Sequence, residues 1–421
     1  MTGVTTVRIL LSAFACAPNV GSEAGIGWRW AMELAQHHDV SVLTDISRKP
    51  LIDPVLGESA NPRIIYYRPG FLRKVPLNSR TAAILHWLWQ YSLLPFARRL
   101  HRRHRFDLAV HLTYGVFRHP SFLGFLGIPF VFGPVGGGED APWRLKKSFP
   151  FRDKLAELAR SVLNVTAKCD PFLWLALSRA DLILVRTPET SHALPYPYGR
   201  SAVQHQDIGT PARQRDTPLA TRIPGDALRV LFAGRLLSWK GVHLALRAVA
   251  SARARGADLQ FTIVGSGPKD AWLKDLASSL CLDAPVLRWI EHIPQDQLFA
   301  MYEDAHCLLF PSLHDSGGSV VLEALAFGLP VICLDLGGPK TLVDERCAIV
   351  VATGSRSEQQ VVSALADGLA AIADNESQRL EMSRAATERA NEMAWGKRVS
   401  GAMGLIERRC FPSAQTRGLV P

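Results

Sequence analysis

Asp315 and Glu323 stand eight positions apart, and Arg235 and Lys240 stand five apart, in a chain of 421 residues. A carboxylate accepts hydrogen bonds from two vicinal hydroxyls, which is how acidic side chains hold a ribose. An arginine offers a diphosphate a planar fork, and a lysine offers it a point charge. The acids lie in PSLHDSGGSVVLEALAFGLPVICLDLGGP, positions 311–339, and the cations in GRLLSWKG, positions 234–241. Taken together they suit a nucleoside diphosphate, with a carboxylate able to hold its ribose and the basic pair able to reach its phosphates. A structural ion pair or a loop cap is the competing role for Glu323.

The apolar runs around these side chains say what must position them. Residues 305–310 read as a buried strand, and Gly317 and Gly318 allow a sharp turn close to a ligand. Ser319 is expected to cap the helix that follows, whose first amides and positive dipole end favour an anion. That helix, 320–327, is apolar on nearly every side except at Glu323, which predicts burial and a partner for the carboxylate. Gly328 and Pro330 end it, and 331–334 forms the next strand.

Strands are also expected at 228–234, 260–264, 286–290 and 348–351, alternating with helices as in a parallel, right-handed doubly wound sheet. The first half carries the same rhythm at 7–15, 40–44, 64–67, 107–112, 128–132 and 181–186, with a weak strand near Ala202. Its first loop, NVGSEAGIG (19–27), leads into a helix at 28–37 and does not match G-x-G-x-x-G, which disfavours hydride transfer. A second glycine run, GPVGGGED (133–140), follows a strand at the carboxyl edge, where open α/β sheets bind ligands. Residues 118–120 are expected to open a short helix. A polar, proline-containing stretch separates an N-terminal domain, 1–207, from a C-terminal one, 228–396, with a linker at 208–227 and a tail at 397–421.

Composition bounds the rest. The chain has a net charge of +10 and a pI near 9.4, so its surface favours anions, yet no nucleic-acid module accompanies the charge. Seven scattered cysteines argue for reduced thiols rather than a disulfide framework or a zinc site. The run 9–17 is short and leads straight into a glycine loop, as a first strand does and a signal peptide does not. Segment 81–105, TAAILHWLWQYSLLPFARRLHRRHR, joins tryptophans to five arginines, with Arg80 just ahead. It reads either as an interfacial segment on anionic lipid or as a core helix with a basic end.

The acidic segment resembles the signature of retaining glycosyltransferases of the GT-B architecture, glycosyltransferase family 4 (glycosyl transferases group 1), in which two glutamates are separated by seven residues. Here Asp315 replaces the first glutamate, and Gly317 stands where an aromatic residue is common. The resemblance implies an α/β fold of two Rossmann-like domains facing across a cleft. It places a nucleotide-sugar donor on Gly21, Ser22, Arg235, Lys240, Gly318, Ser319, Val320 and Glu323, and assigns the chemistry to Asp315, Arg235 and Lys240. The acceptor side falls to Gly25, His111, His119, Gly137 and Glu139, and Glu23 is a further loop carboxylate, expected to be solvated. Glycines stand here where many relatives have a histidine. No Asp-x-Asp occurs, so no metal site and no cofactor are expected, the nucleotide sugar being a co-substrate. The implied acceptor is a glycan or a lipid-linked molecule, in a cytoplasmic protein or one held at the inner face of an anionic membrane. The alternatives are an inactive glycan- or lipid-binding relative and a sugar-nucleotide epimerase of the same architecture.

Overall fold

A computed structural model of the chain describes residues 6–412, except 22, 58–60, 79–80, 212–219 and 224. Ser22, Arg80 and much of the expected linker therefore lie outside the described residues. By contacts the chain forms two compact units, one of residues 1–138, 162–208 and 395–421, the other of residues 139–161 and 209–394. The sequence reading put 139–161 with the first half, but these residues pack with the second unit, through side chains described below. The helix Trp395–Cys410 packs on Glu23–Ala35 in the first unit.

The first unit holds a seven-stranded parallel sheet: β1 Arg8–Ser12, β2 Asp39–Asp45, β3 Arg63–Tyr67, β4 Leu108–His111, β5 Phe130–Val135, β6 Leu182–Val185 and β7 Val203–Gln204, in the order β3-β2-β1-β4-β5-β6-β7. The second holds six: β8 Leu228–Ala233, β9 Leu259–Val264, β10 Leu287–Ile290, β11 Cys307–Phe310, β12 Val331–Leu334 and β13 Ala348–Val351, in the order β10-β9-β8-β11-β12-β13. Every pairing is parallel. Central strands such as LAVH, LILV and CLLF are buried along their whole length. Helices cover both faces of such a sheet, so its strands are continuously apolar rather than alternating.

Two expected elements differ, and a third, segment 81–105, takes the core-helix form of its two readings. The first helix begins at Glu23, inside the glycine loop, because Gly25 and Gly27 let it sit against the end of β1. A Cβ on either glycine would lie 2.4 Å from the carbonyl oxygen of Val20 or 2.3 Å from that of Ala15. The short helical turn expected at 118–120 forms later, at Leu123–Leu126. Segment 81–105 becomes the helix Ala82–His104, whose Leu85, Trp89, Leu93 and Ala97 enter the core of the first unit and leave Ile84 and Trp87 exposed. Its apolar side therefore serves the core, while Arg98, Arg99, Arg102 and Arg103 stay exposed. Among the described residues no helix is long and apolar enough to cross a membrane.

Candidate functional site

In the second sheet the strand order reverses between β8 and β11, and open α/β sheets bind ligands at the carboxyl ends of such a pair. The loops that leave those two strands are GRLLSWKG and PSLHDSGG. They are pressed together. Gly241 has φ +75°, and a Cβ there would lie 1.9 Å from the carbonyl oxygen of Pro311. The Leu313 amide donates to the Trp239 carbonyl at 2.8 Å, and the Trp239 ring stacks on His314 at 4.6 Å. Glycine is required at 241 both by conformation and by contact.

This contact brings Lys240 and Asp315 into a direct ion pair. Burial pushes the Asp315 carboxyl up, but the charge and hydrogen bond of Lys240 and the amides of Gly317 and Gly318, each 3.3 Å away, more than offset it and hold the group below its usual range. Lys240 also lies over the rings of Trp239, at 4.5 Å, and Phe310, at 5.1 Å. Such faces attract a cation and help to fix its position. Arg235 opens the same loop, is exposed, and forms no ion pair among the described residues. Its guanidinium can therefore meet an anion without first breaking another pair.

Ser319 is not the cap. Gly318, with φ +76°, holds that position, no side chain caps the helix Ser319–Ala326, and Ser319 is its first residue. The first-turn amides of Ser319 and Val320 have no acceptor within the helix. Glu323 is half-buried and accepts a hydrogen bond from the Tyr302 hydroxyl at 3.2 Å. Burial pushes its carboxyl up to about 7, with Tyr302 opposing the shift. A carboxylate poised near neutrality, about one turn from a cluster of amides, can bind a diol in its charged form.

Sequence reasoning missed the support behind this loop. His314 Nε2 lies 2.9 Å from Glu157 Oε1, and the Lys146 ammonium lies 3.2 Å from Glu157 Oε2 and 3.1 Å from Asp140. Burial raises the Glu157 carboxyl, and the bond and charge of His314 with the charge of Lys146 bring it below its usual value. The Ser316 hydroxyl donates to Glu139 at 2.6 Å. Glu139, read as an acceptor-side residue, is thus buried beneath the acidic loop of the second unit. Asp153 pairs with Lys269 at 2.7 Å and also accepts from Ser238, beside the basic motif. Residues 139–161 brace both loops, and no local pattern announces it because every partner is far away in sequence.

In the first unit the reversal falls between β1 and β4. Gly21 is exposed with open space where a side chain would stand, whereas Gly25 lies within the first helix. Glu23 is half-buried and partnered rather than a free loop carboxylate. It accepts the Tyr114 amide at 2.8 Å and pairs with Arg186 at 3.0 Å, which in turn pairs with buried Asp207 at 2.5 Å. His111 is fully buried at the end of β4 against Phe132, and burial pushes its pKa down to about 3. His119 is half-buried and pushed down to about 4, again mainly by burial. A chain of short contacts joins them: His119 to His86 at 3.1 Å, His86 to Gln90 at 3.0 Å, and Gln90 to His111 at 3.2 Å. Gly137 has φ +92°, and its carbonyl accepts from Arg118 at 3.1 Å. Of the acceptor-side set, then, His111 is a core residue and Glu139 belongs to the other unit. Among the described residues no cluster of three or more His, Cys, Asp or Glu side chains could hold a metal ion.

Residues 214–389 match the family described as Glycosyl transferases group 1. The chain is 28% identical over 237 residues to a D-inositol 3-phosphate glycosyltransferase of Corynebacterium aurimucosum, a match covering 52% of this chain and 55% of the relative. It spans about half the length of the curated relatives it matches. Among solved structures, the sucrose-phosphate synthase of Thermosynechococcus elongatus superposes with a TM-score of 0.64 at 18% identity, covering 97% of this chain and all of that one. The Anabaena protein HepE, in complex with UDP and glucose, superposes with a TM-score of 0.55 at 15% identity, covering 96% and 100%. The likeness to both is one of fold, and the fold is GT-B.

Proposed function

With residues 214–389 carrying a glycosyl transferases group 1 domain in a chain of GT-B fold, we propose that the protein moves a sugar from a nucleotide-sugar donor to a hydroxyl of a glycan or lipid-linked acceptor, with retention at the anomeric carbon and without a metal ion. The observation that carries this reading is the ion pair of Lys240 with Asp315 at the β8/β11 reversal, between exposed Arg235 and the first-turn amides of Ser319 and Val320. The donor belongs to the second unit: ribose on Glu323, phosphates on Arg235, Lys240 and those amides, sugar on Asp315. The residues near Gly137 in the first unit are the acceptor side.

In the reaction the bond from the anomeric carbon to the diphosphate breaks, the acceptor oxygen joins that carbon from the same face, and the acceptor proton passes to the departing phosphate oxygen. Negative charge grows on that phosphate as the bond breaks, so cations aimed there favour the transition state over the ground state. Lys240 can serve in this way because its partner, Asp315, gains sugar hydroxyls in exchange.

A thermal-shift panel of UDP, GDP, ADP and their sugars tests donor binding. A ligand at about 100 times its dissociation constant stabilises the folded state by about 2.7 kcal/mol. Release of nucleoside diphosphate that requires an acceptor supports transfer. Conversion of the nucleotide sugar to its epimer, with no net release of nucleoside diphosphate, supports an epimerase. Binding with neither release nor epimerisation supports a non-catalytic glycan- or lipid-binding protein.

A further inference from the structure

The helix Phe151–Thr166 wears its amphipathic pattern inside out. Phe151, Leu155, Leu158, Val162 and Val165 are each between 47% and 74% exposed. At 3.6 residues per turn they fall within a sector of about 80° and form a stripe about 21 Å long. The polar side faces inward: Glu157 and Asn164 are buried, Glu157 holds Lys146 and His314, and Asp153 holds Lys269. An amphipathic surface helix ordinarily turns its apolar stripe to the core, and a contiguous exposed apolar patch marks an interaction site.

The charges around the stripe say what covers it. Arg152 and Lys154 flank it on its two sides, and Arg144 and Lys147 stand exposed just ahead of it, none of them in an ion pair among the described residues. The only acids from 143 to 166, Asp153 and Glu157, are on the inward face and paired. A second copy laid stripe to stripe would bring these cations together with no acid in the stripe to answer them. Anionic headgroups would answer them, and aromatic and leucine side chains would enter the acyl boundary beneath. Apolar side chains on one face of a helix with unpaired cations at its border are what an anionic bilayer surface binds.

We propose that the helix Phe151–Thr166 is a docking surface for an anionic lipid bilayer, lying in the interface with the Phe151–Val165 stripe in the acyl boundary and Arg144, Lys147, Arg152 and Lys154 on the headgroups. The surface is distinct from the arginine-rich helix Ala82–His104, which sends Leu85, Trp89, Leu93 and Ala97 into the core and leaves Ile84 and Trp87 exposed. It stands whether or not the chain transfers a sugar, since vesicle binding is read without turnover.

The test is co-flotation of the full chain with vesicles of equal parts phosphatidylglycerol and phosphatidylcholine, against vesicles of phosphatidylcholine alone. The expected result is binding to the anionic vesicles that weakens as salt is raised. Each leucine is only about half exposed, so burying the rest of it is worth a factor of several in affinity, and Leu155→Ser with Leu158→Ser should weaken binding about tenfold or more without lowering the Tm. Arg152→Glu with Lys154→Glu should weaken it on anionic vesicles and leave any residual binding to neutral ones unchanged. Ile84→Ser with Trp87→Ser, on the other exposed helix, should change nothing. The proposal is overturned if the protein ignores anionic vesicles, if the leucine pair is replaced without effect, or if the Ile84 and Trp87 pair abolishes binding. It is also overturned if light scattering shows a dimer that only the leucine replacements dissociate, since the stripe would then serve a second copy.

Discussion

The two sheets reverse strand order in the same way, β1 beside β4 and β8 beside β11, but fill the two crevices with opposite chemistry. At β8/β11 the loops carry an ion pair and an exposed arginine, and the adjoining helix carries a carboxyl raised to about 7. At β1/β4 they carry rings that burial keeps neutral, with His111 at about 3 and His119 at about 4, and a carboxylate already committed to Arg186. Backbone topology alone thus offers each sheet the same opening. Burial decides whether the residues there hold charge ready for a ligand or spend it on the fold.

The sharpest way to break the contrast is to remove charge from the second crevice. Arg235→Ala or Lys240→Ala should lower kcat by about a hundredfold or more, as loss of a transition-state donor does. Lys240→Ala should also destabilise the fold, because it leaves Asp315 unpaired in a mostly enclosed loop. Steady-state kinetics and a melting curve of each variant separate the two effects. If Arg235→Ala changed only KM, its assignment to the departing phosphate would fail.

Glu323→Gln should act on binding instead. Losing a charge-assisted hydrogen bond of roughly 1.5 to 3 kcal/mol raises the donor KM by about ten- to a hundredfold and leaves kcat near its original value. Nucleoside diphosphate affinity, followed by titration calorimetry, should rise as pH passes upward through about 7, where the carboxyl ionises, and Glu323→Gln should flatten that rise. Stability runs the other way. The folded group is raised above the ordinary carboxyl value of 4.5, so its contribution is fully present below that value and is lost as pH rises through about 7. Without nucleotide, Glu323→Gln should therefore gain in Tm relative to the parent between pH 5 and pH 8.

The first crevice should answer to acid. His111 and His119 are depressed in the folded state, so the unfolded chain binds protons first and stability is lost as pH falls below about 6.5. Each such histidine costs about 2 kcal/mol between pH 7 and pH 5. Urea unfolding at the two pH values should show a smaller loss in His111→Gln than in the parent, with kcat at pH 7.5 little changed. A collapse of kcat with normal stability would instead return His111 to the chemistry. The smallest expected effect is that of EDTA: turnover should persist after thorough chelation, and full loss restored by Mg²⁺ or Mn²⁺ would contradict a reaction that relies on Arg235, Lys240 and helix amides.

The sequence by itself determined the parallel strands to within a few residues, because buried strands are continuous apolar runs and glycines punctuate them. It also marked the basic pair and the acidic pair by type and spacing, but that their loops meet follows from β8 lying beside β11 in the sheet, with β9 and β10 between them in the chain. What only the tertiary structure decided rests on partners far away in the chain. Glu157 meets His314 across 157 positions and Glu139 meets Ser316 across 177, so neither brace has a local signature. His111 and Glu23 looked available because residue type says what a side chain can do. Its desolvation and its partners, set by packing, decide whether it remains free to do it. The helices Ala82–His104 and Phe151–Thr166 make the same point: each shows an apolar period in sequence, and only the folded chain determines which stripe enters the core and which faces out.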